Sequence, residues 1–300
     1  MKLNKYYAAA IGAFVIWGFI PFPLKALHAY PSTQILYFRT LFSVILMVVI
    51  MLTFRQKSLR ATLAQYKIAP TPAKRKFLVL TLLGGILLTI NWFVFIYVIN
   101  HIDIQTGSFS YLLCPILTAL LGYLLLSEHL KINQWLAIFM SLLSCFMLGT
   151  GSFLNLSYSL LVASSYALYL ITQRVLKDYD KMVLLTLQLI VSFSLMAPFY
   201  TYFNAGHNLG ADFYFFGVIA VLSVGFTIVP LFLNLYALTE LKSSTIGILM
   251  YLNPIINFIM AFLYFQEKTN AYRGFAYGLI FLSVVVYNLR WHKSQKLKPA

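Results

Sequence analysis

One arginine is embedded in apolar sequence: Arg39 lies in Tyr37-Phe38-Arg39-Thr40, about a turn and a half into an apolar run. A charge held at that depth is costly, so it either faces a polar cavity or snorkels to an interface. In a cavity its planar guanidinium would take a carboxylate through two parallel hydrogen bonds. Asn91 and Trp92 sit deep in another apolar run. An asparagine there bonds a neighbouring helix or contacts a solute. Trp17, Tyr111, Tyr166, Tyr169 and Tyr251 could wall an aromatic chamber, with Asn253 as a second amide, although packing is the plainer reading of any one aromatic. Pro115 and Pro254 close the stretches Tyr111-Leu-Leu-Cys-Pro115 and Tyr251-Leu-Asn253-Pro254 and are candidate helix breaks. Proline removes a donor and crowds the preceding turn. The carbonyls it frees need protein or cavity water at membrane depth.

The remaining reactive groups offer less. Asp103, Glu128, Asp178, Asp180, Asp212, Glu240 and Glu267 all fall at or near the ends of apolar runs. An acidic proton relay in the middle of a span is therefore not visible. Facilitated diffusion, or coupling through a terminal carboxylate, fits better, with proton or substrate exchange as the coupling to expect. Lys25 and Arg174 end matching runs, as interfacial or gating charges would. His207 and Asp212 have a His-x4-Asp spacing used by some acyltransferases, but in a short loop with no positioned partner. They are the weak basis of a rival reading as a membrane-embedded enzyme acting on a lipid. A phosphate-binding loop and a His-Glu-x-x-His pair are both missing. We expect no catalytic residue, metal or cofactor. Cys114 and Cys145 lack ligand spacing and are expected as buried free thiols.

Of the 300 residues, 61% are hydrophobic and only 10% charged, far below the roughly 25% of soluble domains. Lipid must replace water around most of such a chain. Runs of about 20 apolar residues predict ten transmembrane helices: 6–27, 33–54, 77–99, 104–126, 133–151, 154–176, 182–203, 213–238, 243–265 and 271–290. The first run reads as a span and not as a cleavable signal. A net charge of +15 would suit nucleic acid, but the basic residues occupy the short breaks, as topology signals do. With the N-terminus inside, 18 of 22 Lys and Arg face the cytoplasm, seven of them in the long loop 55–76. Lys25, Lys268 and Arg273 lie outside. Both termini, including a basic tail 292–300, are then cytoplasmic.

The chain also repeats itself. Pro115 and Glu128 recur 139 residues later as Pro254 and Glu267, and Trp17, Lys25 and Arg39 are echoed 149 later by Tyr166, Arg174 and Gln188. Five helices per half forces the second half to enter the membrane inverted. The predicted fold class is therefore an all-α membrane protein of two inverted five-helix repeats, 1–152 and 153–291. Inverted repeats typify secondary transporters, whose sites lie where corresponding helices are interrupted.

The sequence resembles the RarD-like branch of the EamA family, in the drug/metabolite transporter superfamily. The resemblance is carried by Trp17-Gly18-x-x-Pro21 with Lys25, Arg39 with Ser43, Asn91-Trp92 to Asn100, and Tyr111 through Pro115 to Gly122 and Glu128. In the second half it rests on Pro230-Leu231, Ser244-Thr245-Ile-Gly247, Tyr251 to Pro254 and Glu267-Lys268. It implies a central cavity lined by helices one to four and six to nine, with the fifth and tenth peripheral. It also implies alternating access and export of metabolites or drugs from the bacterial inner membrane. Ser127 and Gln266 stand where relatives often have glycine before the glutamate, and Cys114 replaces a frequent asparagine. The partners expected are a small-molecule substrate and the bilayer. The residues expected to meet the solute are Trp17, Arg39, Asn91, Trp92, Tyr111, Tyr166, Tyr251 and Asn253.

Overall fold

The computed structural model describes residues 5–27, 29–101, 104–148, 153–200, 213–263 and 271–289. Glu267, Asp103, His207, Asp212 and the tail 292–300 lie outside them. The described residues are mainly helical, with short turns between the helices and no strand among them. Seven helical stretches are long and apolar enough to cross a membrane, and three further apolar helices are shorter.

The first predicted span is two helices, α1 (Lys5–Gly18) and α2 (Pro21–Ala26). Pro21 cannot donate to the helix before it and opens the next one. After α3 (Ser32–Thr53), the segment expected as a long basic loop contains a helix of its own, α4 (Gln56–Ile68). Charged and polar residues interrupt the apolar ones throughout α4, so it forms no apolar run. Next come α5 (Thr71–His101), α6 (Ile104–Leu126), α7 (Ile132–Leu148), α8 (Phe153–Val175) and α9 (Lys181–Met196). Asp180 starts α9 by accepting from the backbone N–H groups of Met182 and Val183 at 3.0 and 3.1 Å. It also pairs with Arg55 at 2.8 Å, which ties the end of α3 to α9.

The predicted span 213–238 is α10 (Phe213–Ser223) and α11 (Val229–Ala237), joined by a π-helical segment at Val224–Ile228. The span 243–265 is also divided, into α12 (Ser243–Leu249) and α13 (Leu252–Leu263). The break at Met250–Tyr251 lies one turn before Pro254, whose ring crowds the carbonyl four residues back. Pro115, in contrast, lies inside a continuous α6, so the two expected breaks are not alike. The chain's last described helix is α14 (Ala271–Asn288).

Packing follows small residues. In α7, Ser141 and Ser144 bond Ser283 Oγ (3.0 Å) and the Ala276 carbonyl (2.9 Å) of α14, as closely approaching membrane helices do. Asn133 donates to carbonyls at the end of α14. Elsewhere α8 lies against α5 and α6, α1 against α11 and α13, α3 against α9 and α10, and α12 against α6.

Candidate functional site

Arg39 lies on α3 with its guanidinium carbon 4.9 Å from the ring centre of Trp92 on α5. A desolvated cation over an indole gains roughly 2 kcal/mol. The Arg39 Nε is buried and has no hydrogen-bond partner, so a donor of the fork stays open. Tyr111 of α6 is within electrostatic reach of it and stacks edge-on against Phe95 at 5.0 Å. The backbone at Arg39 is held by Ser223 of α10, whose hydroxyl donates to the Arg39 carbonyl at 3.0 Å. α5 and α6 thus bring aromatic side chains to one cation, and α10 holds its backbone.

Asn91 takes the packing role and leaves something over. Its Nδ2 donates to the Val162 carbonyl of α8 at 2.8 Å, an interhelical bond worth about 0.6–2 kcal/mol. Its Oδ1 is buried without a partner. Trp17 sits edge-on to Tyr166 at 6.3 Å, and its indole N–H donates to the Phe226 carbonyl at 3.0 Å. That carbonyl belongs to the π segment, where the i→i−4 pattern fails and acceptors become available. Tyr166 accepts from Asn234 Nδ2 at 3.3 Å, and the Asn234 Oδ1 is again unpaired.

Arg39, Trp92 and Tyr111 therefore form one group, and Trp17, Tyr166 and Asn234 a second. Tyr251 is fully buried among residues of α6, α7 and α14 and belongs with neither. Asn253 is half-buried on the first turn of α13. Cys114 and Cys145 are buried free thiols. Asn234 and the Phe226 carbonyl were missed in the sequence; a lone amide in an apolar run was the available sign of the first.

Glu128 does more than end a helix. It is 7% exposed and accepts from the backbone N–H of Ser243 (2.8 Å), the N–H of Ser244 (3.1 Å) and the Ser244 hydroxyl (2.8 Å). Arg174 stands 4.0 Å away and donates to the carbonyls of Leu238 and Thr239, at the end of α11. Gly122 makes room, since a Cβ there would lie 2.5 Å from Ser243 Oγ and 2.8 Å from Glu128 Oε2. Ser127, just before Glu128, adopts φ 53°, the left-handed conformation that suits glycine. One carboxylate thus joins the α6–α7 connection to α8, α11 and α12.

Two stretches of the chain, 4–150 and 154–289, match the EamA-like transporter family. The chain belongs to that family. It is thus a multi-pass membrane transporter of the drug/metabolite class, with a small-molecule substrate. It is 27% identical to Protein RarD of Escherichia coli (strain K12) over 282 residues, covering 93% of this chain and 92% of the relative. It is 24% identical to the uncharacterized transporter YojE of Bacillus subtilis (strain 168), with 98% and 97% covered. An uncharacterized transporter of Vibrio cholerae is 27% identical over 95% of this chain and 92% of its own. A crystal structure with 14% identity superposes with a TM-score of 0.72, covering 94% of this chain and 96% of that one. The likeness establishes a shared fold.

Proposed function

We propose that this EamA family transporter carries a small polar solute with an anionic group, such as an amino acid or other carboxylate, by alternating access between two inverted five-span halves in an inner membrane. The observation that carries this reading is Arg39: a buried guanidinium donor without a protein partner, over Trp92 and beside Tyr111. An arginine in a low-dielectric site favours an anion.

The inverted arrangement is supported by crossings that recur. Ser223 of α10 bonds the carbonyl of Arg39 on α3. At the corresponding crossing, α9 passes α5 with the Gln188 side chain against Gly84, 139 positions before Ser223. The two family matches, 4–150 and 154–289, divide the chain at the same place. On this reading the Glu128 knot is the closed cytoplasmic door, and the two halves rock about the Arg39 group.

A thermal-shift screen against amino acids, organic acids, sugars and nucleosides would name the solute class, because ligand binding stabilises the folded state. In proteoliposomes, Arg39→Ala is expected to lower uptake of an acidic amino acid such as glutamate at least ten-fold, as losing a charge-assisted bond of about 1.5–3 kcal/mol requires. Full uptake by a folded variant would remove Arg39 from the site.

A further inference from the structure

The start of α5 has a one-sided charge distribution. Between Phe54 and Leu80 the sequence has no acidic residue and seven basic ones. At 31 residues, α5 is about 46 Å long, well beyond the roughly 30 Å of a hydrocarbon core. Its exposed face is continuous: Arg75, Val79, Leu82, Ile86, Ile90 and Phe93 follow at helical spacing. Val79 and Leu82 are 51% and 50% exposed, so this stripe meets acyl chains. Arg75 and Lys76 stand one turn before Val79, where the charged start of the helix gives way to its apolar stretch.

A recess of about 480 Å³ opens at this boundary, lined by Thr71, Pro72, Arg75, Lys76 and Val79. Its lining combines a guanidinium, an ammonium and a hydroxyl (Arg75, Lys76 and Thr71) with the apolar Pro72 and Val79. Behind the recess the helix is braced by tilted aromatic contacts, Tyr66 of α4 with Phe77 at 5.5 Å and Phe77 with Tyr179 at 4.5 Å. Phe77 is buried on the opposite side of the helix from the recess.

We infer that this recess binds the headgroup phosphate of an anionic phospholipid, with an acyl chain lying along Val79, Leu82 and Ile86. Arginine presents a fork matched to phosphate oxygens, and lysine adds a second charge. Basic pockets beside membrane helices take anionic headgroups on these grounds. A zwitterionic headgroup would bring its own cation against Arg75 and Lys76, so the pair selects for net negative charge.

The test uses full-length protein in detergent, titrated with dioleoyl-phosphatidylglycerol, dioleoyl-phosphatidylcholine or inorganic phosphate, with bound lipid counted by native mass spectrometry. Phosphatidylglycerol should bind preferentially, and the exposed double variant Arg75→Gln/Lys76→Gln should bind it about thirty-fold more weakly. Arg60→Gln/Lys67→Gln, which removes the same charge from α4, should leave binding unchanged. Equal binding of the two lipids, wild-type affinity in the first variant, or equal loss in the second would each overturn the site. Displacement of the lipid by millimolar inorganic phosphate would replace the lipid with a soluble anion.

Discussion

Neither Nε2 nor Oε1 of Gln188 has a hydrogen-bond partner, although the side chain is 0% exposed. Gln173 Oε1 is in the same position on α8. The two amides meet over Gly84, where a Cβ would lie too close to Gln188 Nε2 for any other residue to fit unshifted. An orphaned buried polar group costs about 1–3 kcal/mol, so removing it should help folding. Gln188→Leu is expected to raise the melting temperature of the purified protein, equivalent to about 1–2 kcal/mol. A lower melting temperature would mean that the amide is satisfied, for instance by a buried water. Arg39 was legible in the sequence because a charge within an apolar run stands out by itself. Gln188 was visible only as its echo, because the burial that orphans its amide depends on Gly84, about a hundred positions earlier.

At the scale of helices, the knot at Glu128 joins four elements through one carboxylate. Glu128→Gln keeps the shape and removes the charge, weakening bonds that are strong because they are charge-assisted. In a Cys114→Ser/Cys145→Ser background, a cysteine at Ser165 should react several-fold faster with a membrane-impermeant thiol reagent applied to the cytoplasmic face of vesicles carrying Glu128→Gln. An unchanged rate would reduce the knot to a cap on α12. Apolar run length revealed where most of these helices lie, because hydrocarbon thickness dictates it. It revealed neither the connecting role of Glu128 nor α4. Run length averages over a segment, whereas capping depends on a contact 115 residues away, and α4 lies outside any apolar run. The interruption of the first span could be read from Pro21, but the one at Met250–Tyr251 falls a turn from the proline that causes it.

For the whole molecule, the charge bias makes a prediction that needs no substrate. Cysteines in place of Arg60 and of Ala29, both exposed, should be labelled from opposite faces of the membrane, the first from the cytoplasm. Labelling from one face would end the inverted arrangement and the carrier mechanism built on it. The two halves also differ in a way that matters. Val224–Ile228 is a π segment, while residues 85–89, which stand 139 positions earlier, are ordinary α-helix. Under the proposed alternating access, twin halves of equal build would spend equal time facing either compartment. An extra residue wound into only one of them, pinned by the Trp17 indole, would make the two poses unequal in energy. The empty carrier of that mechanism would then have a preferred orientation built into its covalent chain, before any gradient or cargo acts on it.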